Sequence, residues 1–378
     1  MSGFFPVIFP HFFLYYTMTG NTSKTVAVAM SGGVDSSVAA ALLLEAGYSV
    51  LGITMLHYES PCRKAHQAVQ DAAAVCRTLD IPHHVVEMRQ TFQDRVIEPF
   101  IAEYLAGRTP NPCVQCNVKI KWGELLQEAL VRGATHLATG HYVNLEFNKH
   151  AQRFQLRRSQ HRAKDQSYAL WQLTQPQLAH TLFPISDTPK SRVRQKAAEL
   201  GLDVAHTEES QDICFIPDDD YKQFLIDILK QRGQVIEPGP IVDMQDNVIG
   251  QHKGYPFYTI GQRKGLGVAL GRPMFVVEID AQRNQIRIGE KSELFAAGLR
   301  ATSANWVAVE QPSVGMQVTA HIRYNDPGYA AALDTIKDDT FTVHFDVPRL
   351  SVTPGQSVVL YDGDLLIGGG IISKALSA

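Results

Sequence analysis

The chain has 378 residues, enough for two or three domains that each bury a core. No run of 18 apolar residues follows the first twenty positions, which excludes a membrane-spanning helix there. A net charge of −3 excludes no partner, because nucleic-acid binding depends on where cationic residues cluster.

Residues 1–23 begin MSGFFPVIFPHFFLYYT, with no Lys or Arg and no clear small-residue cleavage site, so they do not read as a signal peptide. They are expected to be an N-terminal extension, with Met18 as a second candidate start. Five cysteines, an odd number scattered over a long chain, argue against a secreted disulfide framework and for a reduced, cytoplasmic enzyme.

Residues 24–165 alternate apolar strands, at 25–30, 48–56, 83–88 and 135–140, with helical stretches. That alternation predicts βαβ units, hence a Rossmann-like α/β domain with a parallel sheet. Ligands of such sheets bind at the carboxyl ends of the strands. Two segments fall there: SGGVDSS (31–37) and TGHY (139–142).

A glycine-rich turn opening a helix offers unpaired N–H groups and the positive end of the helix dipole, which suits phosphate. Gly32 and Gly33 admit close backbone approach, and Ser31, Ser36 and Ser37 add hydroxyl donors. The plainer reading is a strand-to-helix turn capped by Asp35 or Ser36. Neither the lysine of GxxxxGK[ST] nor GxGxxG is present.

In GRTPNPCVQCNVKIKWG (107–123), two prolines around Asn111 stiffen a non-helical stretch ahead of Cys113 and Cys116. A helix start with Lys119 and Lys121 nearby predicts thiols of lowered pKa. No second CxxC or His pair completes a tetrahedral zinc site, so a redox or sulfur-handling pair is expected.

Two basic runs follow. Residues 149–164 hold Lys149, Arg153, Arg157, Arg158, Arg162 and Lys164 without an acid, and TPKSRVRQK holds Lys190, Arg192, Arg194 and Lys196. They suggest a track for RNA phosphates, against the simpler reading of a solvated face. Residues 166–232 read as a small helical region that carries Cys214 between apolar residues and the acidic turn 218–220. Cys62 and Cys76 read as ordinary structural cysteines. From 233 to 378, short alternating runs between Gly, Asn and Asp turns predict an antiparallel β-barrel.

SGGxDS after a first strand resembles the PP-loop of ATP pyrophosphatases, which grips the β- and γ-phosphates while the α-phosphate is attacked. Six segments in this order, MSGGVDSSVAA, GRTPNP with CN and IK downstream, ATGHY, KDQSY, ICFIPDDDY and YTIGQRKGLG, extend the likeness. From about Lys24 onwards the chain resembles the tRNA-specific 2-thiouridylases of the MnmA type. That resemblance implies ATP-dependent replacement of the C2 oxygen of the wobble uridine by sulfur in tRNAs for Lys, Glu and Gln. ATP with Mg2+ would serve as cofactor, and a sulfur-carrier or cysteine desulfurase relay protein as partner.

Residue by residue, the resemblance assigns Ala29, Met30, Ser31, Gly32, Gly33, Val34, Asp35 and Ser36 to ATP, with Met55 and Gly140 beside adenine and ribose. Asn111, Pro112 and Cys113 would meet the target base. His141, Lys164, Asp165, Gln166, Arg323, Tyr324 and Gln356 would contact tRNA. Cys116 matches the nucleophile and Cys214 the persulfide carrier; Cys116 either attacks first or takes the second sulfur, leaving a Cys116–Cys214 disulfide. Many members carry Asp where Cys113 stands, so Cys113, Cys116 and Cys214 could instead hold a [4Fe–4S] cluster. The competing readings are a PP-loop synthase that adenylates a small-molecule carboxylate, and a nucleotide sensor without catalysis.

Overall fold

The computed structural model describes residues 24–58, 64–206, 213–216, 218, 220–268 and 271–377. The N-terminal extension 1–23 and Cys62 lie outside them.

Strands β1 (Thr25–Ala29), β2 (Ser49–Leu56), β3 (His83–Glu87) and β4 (His136–Ala138) form where the apolar runs predict them. After a hairpin of β5 (Val143–Asn148) and β6 (Arg153–Arg158) comes the short β7 (Thr181–Leu182). The first sheet runs β3-β2-β1-β4-β7, parallel throughout. Both faces are covered, and so β1 is an unbroken apolar run. Ala27 joins Ile53, Phe92, Phe100 and Trp122 on one side. Val26 and Val28 join Val38, Ala39 and Val75 on the other. The chain reverses direction across the sheet between β1 and β4, and there the loops after these strands open a crevice.

The expectation of a helical middle domain is overturned. Leu170, Trp171, Leu178, Phe215, Phe224, Leu225 and Leu229 all enter the same core as Ala27 and Ile53. These helices have no core of their own, so they are part of the first domain's cover. Residues 153–158, within the stretch read as the α/β domain, are strand β6: their alternation lets the hairpin pair antiparallel and continue the C-terminal sheet, with Arg157 opposite Leu365.

The middle unit is a mixed sheet. It contains β8 (Gly239–Val242), β9 (Val248–His252), β10 (Phe275–Asp280) and β11 (Gln285–Gly289) in the order β10-β11-β8-β9. Ile241, Tyr258, Met274, Val276, Ile286 and Ile288 form its separate core. The antiparallel barrel forms as expected but begins only at residue 295: the stretch 239–289, expected to belong to it, is this separate mixed sheet. Its strands are β12 (Phe295–Trp306), β13 (Gln317–His321), β14 (Tyr329–Lys337), β15 (Thr340–Leu350), β16 (Ser357–Asp362) and β17 (Leu365–Ser377). Pairing of β12 with both β15 and β17 closes the antiparallel ring.

One helix departs from ordinary winding. Pro112–Gln115 is α-helical, but Cys116–Leu125 is a π-helix, in which the N–H of Leu126 donates to the Lys121 carbonyl five residues back. Such segments lose good carbonyl partners and need outside support. Gln177 supplies it: its amide nitrogen donates to the carbonyls of Val118 (3.2 Å) and Trp122 (3.0 Å). The same amide's oxygen accepts from the N–H of Thr174 at 2.9 Å, closing a capping box. Trp122, fully buried, donates its indole N–H to Thr181 at 2.6 Å.

Gln177→Ala removes the donor that answers both carbonyls and the acceptor for Thr174. Unfolding stability should fall by about 1–3 kcal/mol, the range for leaving buried polar groups unpaired. Chemical denaturation checks this, and an unchanged midpoint would show that water replaces the amide without loss.

Candidate active site

The phosphate loop follows β1. Gly32 adopts φ +74°, and a Cβ there would lie 2.5 Å from the carbonyl oxygen of Ala68, so no other residue fits. Gly33 caps helix α1 (Val34–Glu45) in extended conformation without a side-chain cap, which leaves the first amides of the helix to an incoming anion. Ser36 and Ser37 turn inward and donate to the Gly33 carbonyl at 3.1 and 2.9 Å, while Ser36 Oγ accepts from the Ser31 N–H at 3.2 Å. The serines thus shape the loop as well as furnishing hydroxyls. Opposite, the loop after β4 comes so close that a Cβ on Gly140 would lie 2.8 Å from backbone atoms of Asp35 and Ser36.

Between these loops lies a cavity of about 240 Å³. Of the residues expected at ATP, Ala29, Met30, Ser31, Asp35, Ser36, Met55 and Gly140 line it; Gly32, Gly33 and Val34 build the turn behind them. Two residues expected at tRNA, His141 and Gln166, line the same cavity. Burial holds His141 well below the ordinary histidine pKa, so its ring is neutral, with Nδ1 2.7 Å from Thr139 Oγ1. Burial likewise lowers His57 on the opposite wall. Asp35 is countered: its carboxylate accepts from Lys190 Nζ at 2.7 and 2.8 Å and from the Tyr142 hydroxyl at 2.7 Å.

The thiols stand at the next turn of structure. Asn111 caps the helix that carries Cys113 and Cys116, its Oδ1 accepting weakly from the Val114 N–H at 3.4 Å, with Pro112 buried in the first turn. Cys113 and Cys214 are exposed to solvent and Cys116 is half-buried, yet protein surrounds all three closely enough to desolvate their anions. Desolvation pushes Cys116 up to about 11 and Cys214 up to about 12, and raises Cys113. This corrects the expectation of lowered thiol pKa: Lys121 does pull all three down, but burial outweighs it. The sulfurs share one locale, since both Cys113 and Cys116 act electrostatically on Cys214.

The barrel reaches this locale with one loop. Gln356 donates to the carbonyls of Thr109 (2.9 Å) and Pro110 (3.3 Å), and the Thr109 N–H donates to the Pro354 carbonyl at 2.9 Å. Gln356 thus grips the segment just before Asn111. Tyr324, nearly half exposed, donates to the Asp165 carbonyl at 3.4 Å, and a thiolate at Cys113 would act on its hydroxyl. Arg323 donates to the Leu350 carbonyl. Asp165 is turned inward, its carboxylate accepting from the Ser159 N–H, the Ser167 hydroxyl and Arg158. Gln166 accepts from the Tyr142 N–H, and Lys164 ends a short 3-10 turn beside them.

The basic runs are not acid-free in space. Arg157 pairs with Glu146, Arg158 with Asp165, Arg162 with Asp364, Arg192 with Glu199 and Lys196 with Glu45. Asp165 and Glu199 stand just beyond the two runs in sequence, whereas Glu146, Asp364 and Glu45 are brought in by a neighbouring strand, a turn and a helix. Sequence reading placed Lys121 beside the thiols and Lys190 in the RNA track, but neither at the nucleotide cavity, and it gave the Thr139 side chain no role of its own. Lys121 had a signal, the IK pair five residues beyond Cys116, whereas the Lys190–Asp35 pair spans 155 positions and has none.

Residues 24–218 match a family model described as tRNA methyl transferase HUP domain, 222–290 a tRNA methyl transferase PRC-barrel domain, and 296–372 an aminomethyltransferase beta-barrel domain. The tRNA-specific 2-thiouridylase MnmA of Lachnoclostridium phytofermentans is 46% identical over 360 residues, covering 93% of this chain and 100% of the relative. That of Moorella thermoacetica is 47% identical over 356 residues, covering 92% and 99%. Among solved structures, the tRNA thiolase NcsA of Methanococcus maripaludis with its [4Fe-4S] cluster shares 21% identity at a TM-score of 0.34, covering 55% of this chain and 65% of that one. Matched at this identity along nearly its whole length, the chain belongs to the tRNA-specific 2-thiouridylase MnmA family.

Proposed function

We propose that this protein transfers sulfur to C2 of the wobble uridine of tRNA after ATP has activated O2 of the base. The observation that carries the reading is a phosphate loop and a group of three thiols served by the same helix, Pro112–Leu125, whose Lys121 lines the nucleotide cavity. ATP would seat its phosphates on the open amides of α1 and the Ser31 and Ser36 hydroxyls, with Met55 and Gly140 toward the nucleoside. Uracil O2 attacks the α-phosphate and pyrophosphate leaves, which turns a poor leaving group at C2 into AMP.

Sulfur follows. The terminal sulfur of a Cys214 persulfide bonds to C2 as the C2–O bond breaks and AMP departs. The Cys116 thiolate then attacks Cys214 Sγ, the sulfur–sulfur bond breaks, and its electron pair stays with the sulfur on C2. The product is the 2-thiouridine and a Cys116–Cys214 disulfide, which an external thiol must reduce before the next turnover. This is covalent catalysis by a persulfide. Raised thiol pKa values keep the resting cysteines protonated and protect them from oxidation until a charged ligand arrives.

Asn111–Cys113 would present the target base, and exposed Tyr324 offers a ring beside it. The arginine pairs Arg157–Glu146 and Arg162–Asp364 are exposed, of the kind worth under about 1 kcal/mol, so RNA phosphate can displace the carboxylates. A persulfide-donating relay protein and a cytoplasmic setting complete the proposal; no described helix is long and apolar enough to cross a membrane.

Asp35 is the carboxylate on the cavity wall, and its oxygens already accept from Lys190 and Tyr142. Magnesium carried by ATP would therefore take its ligands mainly from phosphate and water. Among the described residues no three Cys, His, Asp or Glu side chains converge on a single metal ion, and the persulfide route runs no step through a [4Fe–4S] cluster.

Asp35→Ala strips Lys190 of its counter-charge and should lower pyrophosphate release in the presence of tRNA by about 100-fold, the scale of a lost electrostatic contact in a transition state. Wild-type release by this variant would remove Asp35 from the phosphate site.

Cys116→Ser and Cys214→Ser should each abolish thiolation while pyrophosphate release persists. Cys113→Asp should keep substantial activity and Cys113→Ala less. Assays on anaerobically purified protein, with iron and sulfide measured alongside, check this. Activity that tracks iron content would overturn the metal-free route.

Because Cys116 is raised to about 11, its alkylation by iodoacetamide should be slow at pH 7. The rate should climb about tenfold per pH unit up to pH 10, as the thiolate fraction grows below the pKa. A plateau by pH 8 would contradict the desolvated site.

A further inference from the structure

Lys121 is half-buried, and its ammonium makes no hydrogen bond or ion pair among the described residues. The other titratable groups on its cavity are already settled: Asp35 is countered by Lys190 and Tyr142, and burial keeps His57 and His141 neutral. The cavity therefore holds one uncompensated positive charge, beside the open amides of a helix N-terminus. Only an anion completes it.

The same ammonium faces the sulfurs. It acts electrostatically on Cys113, Cys116 and Cys214 as well as on the two histidines. Winding explains how one side chain serves both. Residues five apart on an α-helix point about 140° away from each other. On the i→i+5 ladder of Cys116–Leu125 they lie nearly on one side, so Lys121 sits over the turn that begins with Cys116.

We propose that Lys121 is a catalytic residue shared by both half-reactions: its ammonium contacts the α-phosphate as uracil O2 attacks, and then holds the Cys116 sulfur as a thiolate while the sulfur–sulfur bond breaks. The inference rests on the thiouridylase reading. In the first step Lys121 offsets charge building on phosphate, and in the second it offsets charge on sulfur; it gives up no proton in either. The order is natural, because AMP carries away the phosphate and frees the cation for the thiolate.

The test uses Lys121→Met, which keeps the stem and loses the charge, and Lys121→Arg, which keeps the charge. Two quantities are read on the full chain: pyrophosphate release with tRNA at saturating ATP, and Cys116 alkylation by iodoacetamide between pH 8 and 10, followed by peptide mass spectrometry. In Lys121→Met, release should drop about 100-fold. Alkylation should drop about three- to tenfold and move to higher pH, since the charge that lowers the thiol pKa is gone. Lys121→Arg should recover much of both. If Lys121→Met melts early, Lys121→Gln replaces it.

Loss of one readout without the other overturns the shared role, and wild-type values for both overturn any role. Wild-type protein that releases no pyrophosphate with tRNA would fail the thiouridylase reading itself, a result separable from the variants' behaviour.

Discussion

The site depends on a helix wound wider than its sequence requires. Between Cys116 and Leu125 the chain gives up ordinary i→i+4 bonds, and the arrangement persists because Gln177 answers two of the carbonyls and Trp122 is buried and hydrogen-bonded. With standard winding, Cys116 and Lys121 would point to different sides, and either the thiol or the nucleotide cavity would lose the cation. π-segments recur at functional sites for this reason: they re-aim side chains at a cost that tertiary contacts must offset.

A second constraint is closeness. The loops after β1 and β4 touch at Gly140, where any side chain would collide with Asp35 and Ser36. The parallel sheet supplies the position, since these strands are neighbours on either side of the point where strand order reverses. Glycine lets the two loops close over a phosphate-sized space. The Asp35–Lys190–Tyr142 contacts then tie that space to the cover helices, so the segment expected to be a separate helical domain is a wall of the first one.

Charge is managed by exclusion. His141, His57 and the three thiols are all pushed toward their neutral forms by burial, and Asp35 is matched by a lysine. The protein's own groups thus leave the site nearly free of unbalanced charge apart from Lys121. Reactivity can then be switched on by the substrates' own phosphates. The barrel contributes mechanically: Gln356 and the Pro354 carbonyl hold Thr109 and Pro110, so the barrel fixes the lead-in to the thiol-bearing helix although it supplies none of the thiols.

Local chemistry was legible in the sequence wherever it is written in contiguous residues. The strands 25–30 and 48–56, the glycine turn at 31–37, the Cys113–Cys116 pair and the barrel's alternating runs each follow from periodicity or turn residues that act over a few positions. What depended on distant partners was not. The basic run at 149–164 contains no acid, yet strands and loops carry Glu146 and Asp364 to Arg157 and Arg162. The helix start that should acidify the thiols is overruled by desolvation, a property of everything packed around them. The register of Lys121 against Cys116 belongs to a π-ladder held by a glutamine 55 and 59 residues away, Gln177 on the carbonyls of Trp122 and Val118. Periodicity and turn chemistry act along the chain and are readable there; burial, ion pairing and helix winding are settled by which atoms fill the space around a residue, and only the folded chain decides that.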